Sequence, residues 1–328
     1  MPISHTFILL ISIVLGIVLQ ISFKKLSLRH NILNPKGIPL TGGIGIGLSF
    51  CIACLIGFYG AGNLPKQAQG LLASSFSMLI FGLIDDWREL SIGAKFLVQI
   101  IATSMLIFFG IRTQIVYIGD ILNIVITFLW VLGITNAFNH LDVLDGVAGL
   151  TAWVVSMSFL AISIFNHEYV AALLSLTIAG AVFSFLIYNF PPAKIYMGNS
   201  GSHFLGFTLA SIALLISYAP MERKIALLSP LFILGLPIFD TFFLIFIRMG
   251  NRRLPYKKSN DHIALRFIKS GYSKDRTLLF MSLLSLFFCL SGVILSQVSN
   301  SLGIAVIGLV ILVSLILAYR IGKVPIDG

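Results

Sequence analysis

Apolar residues run along this chain in long unbroken blocks, and polar residues gather at the block edges. Eleven blocks stand out, at about 5–23, 43–60, 67–84, 94–112, 121–137, 148–165, 169–189, 203–219, 225–247, 277–298 and 302–320. A helix needs roughly 20 apolar residues to cross a bilayer core. Lipid-exposed backbone must satisfy its own hydrogen bonds, so each block predicts a membrane-spanning helix. The blocks are apolar on every side and lack the alternation of a transmembrane barrel. No linker, soluble domain or internal repeat interrupts them, which predicts one all-α, polytopic integral-membrane domain over residues 1–328 with about 11 transmembrane helices. The first block lacks a basic start and a small-residue cleavage pattern, so it reads as a retained span.

Composition agrees. The chain is 58% hydrophobic and 10% charged, with a mean hydropathy of +1.01, whereas soluble domains carry about 25% charged residues. Lys and Arg collect in cytoplasmic loops. With the N-terminus outside, every Lys and Arg except Lys66, Arg112, Arg223 and Lys224 falls on the cytoplasmic side, nine of them between Arg248 and Arg276. The expected orientation is therefore N-terminus outside and C-terminus cytoplasmic, in the plasma or inner membrane. Asp85, Asp86, Glu89, Asp142, Asp145, Asp240, Asp261 and Asp275 reach the same side. Carboxylates do little to set topology, so this shared side points independently to one cytoplasmic polar site. The net charge of +10 suits contact with anionic membrane lipids or an anionic substrate. Its dispersal over loops argues against nucleic acid as a partner. Cys51, Cys54 and Cys289 lie inside apolar blocks, and no second pair completes a four-ligand metal site.

The densest polar island is Asn136-Ala-Phe-Asn139-His-Leu-Asp142-Val-Leu-Asp145-Gly146. Steps of three turn a helix by about 300°, so a continuous helix would point Asn136 and Asp145 oppositely. The helix is expected to end between Asn139 and Asp142, with Gly146 easing the turn and the end presenting amides and carboxylates to one ligand. Asp85 and Asp86 close the third block. Helix neighbours point about 100° apart, so one can face a divalent cation or substrate while the other orients a partner or takes a proton. Lys95 follows nine residues later and can balance this pair or hold a phosphate. Asp240 lies within the ninth block, where a lone carboxylate needs compensation; a metal ion is the favoured source. His262 and Arg266 share a helical face at i, i+4 and could grip phosphate or sugar. The turn Met197-Gly198-Asn199-Ser200-Gly201-Ser202 opens a helix whose free amides could receive an anion. Each feature alone has a plainer explanation: helix capping, a snorkelling lysine, a solvated helix face.

Taken together, in order and at these separations, Gly-Leu-Ile-Asp85-Asp86, Lys95, Asn136-x-x-Asn139-x-x-Asp142-x-x-Asp145-Gly146, Met-Gly-Asn-Ser-Gly-Ser and Leu-Pro-Ile-Phe-Asp240 resemble the polyprenyl-phosphate N-acetylhexosamine-1-phosphate transferases. These bacterial membrane enzymes begin peptidoglycan, teichoic acid, O-antigen or other surface glycans. The resemblance implies Mg²⁺ (Mn²⁺ as an alternative) bound by Asp240 with Asn139. It places Asp85, Asp86 and Lys95 at the chemistry, and Asn136, Asn139, Asp142, Asp145, His262 and Arg266 on the substrate. The implied partners are a UDP-sugar, polyprenyl (undecaprenyl) phosphate and membrane lipids; a homodimer is compatible. The implied reaction is attack by polyprenyl phosphate on the β-phosphate of the UDP-sugar, releasing UMP. Two departures stand out. Most members carry Met-Gly-Asp where this chain has Met-Gly-Asn199, and many carry a His-x-His or triple-His run where this chain has His262-Ile-Ala-Leu-Arg266. The missing triple-His run argues against the muramyl-pentapeptide branch and favours an N-acetylhexosamine such as N-acetylglucosamine.

Two rival classes remain at this stage. A secondary transporter would show mid-membrane carboxylates, acidic residues on both faces and inverted repeats, and the chain shows neither the spread nor the repeats. A non-catalytic relative is motivated by Asn199 and the missing histidines, and is opposed by the retained acidic set.

Overall fold

The computed structural model describes residues 5–218, 223–250 and 261–324. Among them are thirteen α-helices: α1 (His5–His30), α2 (Gly42–Gly60), α3 (Lys66–Trp87), α4 (Ile92–Phe108), α5 (Gly119–Leu141), α6 (Val147–Phe165), α7 (Tyr169–Asn189), α8 (Gly198–Leu215), α9 (Ser229–Ile233), α10 (Gly235–Gly250), α11 (Ile263–Lys269), α12 (Lys274–Gln297) and α13 (Asn300–Gly322). Each expected apolar block contains a helix, although α4 and α8 end before their blocks do. Among the described residues eight helices are long and apolar enough to cross a membrane, or nine if a bent pair counts as one span. The departures from eleven have physical causes. At 17 residues, α4 rises only about 25 Å, less than a bilayer core of about 30 Å. In α8, Asn199, Ser200, Ser202, His203, Thr208 and Ser211 dilute the apolar run, and all but Asn199 are buried. The ninth block is broken: residues 224–233 meet α10 at 73°. Pro230 and Pro237 sit in the first turns of α9 and α10, where a missing N–H costs nothing.

The bundle is built around α7 and α8. Of the most apolar stretch of α7, 83% is buried inside the protein, against 22% for α1 and 11% for α13, which lie on the outside of the bundle. One large apolar core runs through α2, α3, α6, α7 and α8, and a second joins α10 and α11 to α12 and α13. Small residues let helices touch without a hydrophobic driving force between them. A Cβ on Gly43 would stand 2.1 Å from the Gly201 nitrogen, and one on Gly82 would stand 2.4 Å from the Ser200 Cα. Glycines on α2 and α3 therefore bring three helix ends together at the start of α8. The same end of the bundle holds the C-termini of α3, α5, α7 and α10 and the N-termini of α4, α6 and α8, and so every candidate site residue. Residues 251–260, inside the most basic loop of the sequence, lie outside the described residues.

Candidate active site

Asp85 and Asp86 divide as their angular separation requires. Asp85 is buried; it accepts a hydrogen bond from Leu90 N at 2.8 Å and pairs with Lys95 Nζ at 2.6 Å. Asp86 instead accepts from Asn199 N at 2.6 Å and Ser200 N at 2.9 Å. The helix N-terminus expected to receive an external anion is thus already capped by an internal carboxylate, at the positive end of the α8 dipole. Gly198 makes the approach feasible: its φ is +73°, and a Cβ there would stand 2.6 Å from Asp86 Oδ2.

The Asn-Asp stretch ends as expected. Helix α5 stops at Leu141, Asp142 forms its C-cap, and Gly146 with φ +83° opens α6. Its polar residues then separate. Asn136 forms a reciprocal amide pair with Gln99, at 2.9 and 3.3 Å. Asn139 donates to Asn199 Oδ1 at 3.0 Å and Ser202 Oγ at 2.9 Å, fastening α5 to α8. Asp145 accepts from Ala193 N at 3.3 Å. Asp142 accepts no hydrogen bond among the described residues, and its carboxyl is pushed up to about 7, by burial first and then by the charges of Asp86 and Asp145.

These groups surround a cavity of about 480 Å³. Asp86, Asn139, Asp142 and Asp145 line it together with Asn189, Tyr196, Gly198 and Asn199. Asp85, Lys95 and Asn136 do not line it. Asn189, the last residue of α7, is a cavity residue that the sequence reading does not single out. It accepts from Gly146 N at 2.9 Å and donates to Ile195 O at 2.9 Å, so it shapes the cavity floor. A polar residue at the end of an otherwise apolar helix was the available signal. His203, buried within α8, carries no sequence signal of this kind; its Nδ1 lies 3.0 Å from Asn199 O.

Asp240, His262 and Arg266 do not line the cavity. Asp240 is buried in α10 and accepts from His262 Nδ1 at 2.9 Å and from Ile263 N at 3.0 Å, so it caps α11. Each oxygen accepts one hydrogen bond and keeps a further lone pair. The His262 ring lies 6.3 Å from that of His140, the residue after Asn139, which links the pair to the cavity wall. Arg266 is turned elsewhere. It is buried against Asp261 and the backbone at the end of α13. Although His262 and Arg266 share the i, i+4 spacing expected of a joint cationic grip, the structure gives them different partners, because His262 is the N-cap of α11 and turns back to Asp240.

Do these residues suit a divalent cation? Three carboxylates face one cavity, and Asp142 is held in an environment that disfavours its charged form without a counter-cation. That donor chemistry fits Mg²⁺. Among the described residues no three His, Cys, Asp or Glu side chains close on a point that could hold a metal by themselves. Mg²⁺ commonly takes only one or two carboxylates and completes its shell with water and substrate phosphate.

The profile of glycosyl transferase family 4 matches residues 68–217, which hold Asp85, Asp86, Lys95 and the whole cavity wall except Leu40. A Bacillus subtilis protein named "Probable undecaprenyl-phosphate N-acetylglucosaminyl 1-phosphate transferase" is 31% identical, covering 85% of this chain and 80% of its own length. A Mycobacterium leprae decaprenyl-phosphate N-acetylglucosaminephosphotransferase is 29% identical over 72% of this chain and 69% of its own. A Clostridium botulinum phospho-N-acetylmuramoyl-pentapeptide-transferase is 27% identical over 86% and 92%. With such likeness along most of both chains, this protein belongs to glycosyl transferase family 4, among the polyprenyl-phosphate N-acetylhexosamine-1-phosphate transferases.

Proposed function

We propose that this protein transfers N-acetylglucosamine-1-phosphate from UDP-N-acetylglucosamine to polyprenyl phosphate, with Mg²⁺, at the cytoplasmic face of the membrane. The carrying observation is the cavity itself: Asp86, Asn139, Asp142 and Asp145 converge on it at the basic end of an apolar bundle. A volume of about 480 Å³ is within the range of small-molecule sites. Two anionic phosphates cannot meet beside three carboxylates without added positive charge. Mg²⁺ supplies that neutralisation when bound. Asp142, Asp145 and Asp86 are the cavity carboxylates that would hold it, with Asn139 as an amide ligand; Asp240, paired with His262, stands outside the cavity lining. Lys95 adds a fixed cation, held by Asp85, the neighbour of Asp86 in the chain.

An oxygen of the lipid phosphate forms a bond to the β-phosphorus, the bond from that phosphorus to the bridging oxygen breaks, and UMP leaves with the electron pair. A phosphate monoester is already anionic, so the protein's main task is alignment. Asp85 is paired with Lys95 and does not line the cavity, and Asp86 is assigned to α8 and the cation, which favours direct attack over prior deprotonation by either residue. The N-acetylglucosamine donor is supported by the names of the Bacillus and Mycobacterium relatives and by the missing triple-His run. The test is UMP release by purified protein given polyprenyl phosphate, Mg²⁺ and a panel of UDP-sugars. UMP is expected with UDP-N-acetylglucosamine and not with the UDP-muramyl-pentapeptide; folded protein that releases none with any sugar would refute the reading.

A further inference from the structure

Arg266 makes a set of contacts that neither the cavity nor the family resemblance requires. Its Nε and Nη2 donate to Asp261 O at 3.1 Å and Asp261 Oδ1 at 3.2 Å. Nη1 donates to Ile321 O at 3.3 Å, Gly322 O at 3.3 Å and Val324 O at 2.7 Å, and the guanidinium lies 5.4 Å from the centre of the Phe243 ring. Arg266 is only 3% exposed. The last carbonyls of a helix have no partner within it and form the negative end of its dipole. Here the charge and donors that close α13 come from α11, a helix more than fifty residues earlier in the chain.

The other side of α11 is tied to the candidate site. Asp240 receives Ile263 N, the first amide of α11, and His262 immediately before it. Polar contacts thus tie the short α11 at two points, to α10 through Asp240 and to the end of α13 through Arg266, while its apolar side packs on α12, with the Phe267 and Phe280 rings 4.3 Å apart. Of α13 itself only Gly303, Val310 and Ile321 are buried. Most of that helix faces outward, and its contact with the site region is concentrated where Arg266 grips it.

We propose that Arg266 is a positioning residue: it hangs α11 on the terminal turn of α13 and so sets the geometry of the His262–Asp240 pair. The C-terminal helix then belongs to the working apparatus although it lends the site no side chain. Arg266 acts as a planar fork that spans two sites at once, which a lysine cannot reproduce. The consequence for catalysis rests on the proposed reading of Asp240 and His262; the mechanical link does not.

The experiment uses purified full-length protein in nanodiscs, with Arg266→Ala, Arg266→Lys, a truncation after Arg320, and Lys269→Ala as an exposed control on the same helix. Hydrogen exchange of the α11 amides reads the link without reference to activity. Exchange is expected to rise about tenfold or more in Arg266→Ala and in the truncation, with Lys269→Ala unchanged and Arg266→Lys intermediate. Steady-state kinetics then reads the consequence. A misplacement of about 1 Å can cost on the order of 10²-fold, so kcat should fall by that order while KM for the UDP-sugar moves much less. Wild-type exchange in α11 for Arg266→Ala would overturn the link. Raised exchange with undiminished kcat would overturn the positioning role, and a selective rise in KM with wild-type exchange would make Arg266 a substrate ligand instead. If Asp240→Asn and His262→Ala retain full kcat, the site reading fails, and the exchange result still judges the link.

Discussion

Asp142 is the residue at which cation, proton and substrate should compete. Its carboxyl sits at about 7 in the metal-free protein, raised from 3.8 by burial and by Asp86 and Asp145. A raised carboxyl pKa means the folded state holds a proton that the unfolded chain has lost. Metal-free stability should therefore fall as pH rises from about 4 to about 7, then level off. Binding of Mg²⁺ requires the ionised form and releases the proton, so its affinity should rise across pH 6 to 8. Thermal melting with and without Mg²⁺ over that range checks both signs, and Asp142→Asn should remove the pH dependence of the Mg²⁺ shift. Asp240→Asn should abolish Mg²⁺-dependent turnover while the protein still inserts and folds; turnover at the wild-type rate would dismiss Asp240 from the reaction. Which residues are polar in an oily chain was plain from the sequence, and so was the end of α5 near Asp142. Which polar groups are free and which are spent on one another was not. The Asn136–Gln99 pair, the capping of α8 by Asp86 and the turning of Arg266 toward α13 are long-range contacts, and no local pattern encodes them.

At the level of elements, the contact of α2, α3 and α8 decides whether a cavity exists at all. Gly43 and Gly82 lie against the backbone of Gly201 and Ser200, so an added methyl must displace a helix and not just a side chain. Gly43→Ala is expected to cost about 1–3 kcal/mol, visible as a lowered Tm, and to reduce turnover although it removes no reactive group. Gly93, with nothing within 4 Å of an added Cβ, supplies the control: Gly93→Ala should leave Tm unchanged or slightly raised. Helix placement was largely legible because long apolar blocks admit only helices. The break in the ninth block was harder to see. Pro230 and Pro237 are both present in it, but their tolerance at helix starts hid the 73° bend.

For the whole molecule, the sequence predicts one polar site at one end of the bundle, and the structure brings Asp86, Asp142 and Asp145 to one cavity there. The proposed orientation puts this end in the cytoplasm. A cysteine replacing Lys194 should then resist an impermeant maleimide added to intact cells, and one replacing Arg112 should react; the reverse pattern would invert the topology. The cavity and its carboxylates make a further claim about chemistry, namely that the bond broken lies between the two phosphates of the donor. Mass spectrometry of the products formed from UDP-N-acetylglucosamine and polyprenyl phosphate tests that most directly. The expected result is polyprenyl diphosphoryl-N-acetylglucosamine with an equal amount of UMP, lost when Mg²⁺ is chelated; UDP with a monophosphoryl lipid sugar, or product formed equally well without the metal, would contradict it.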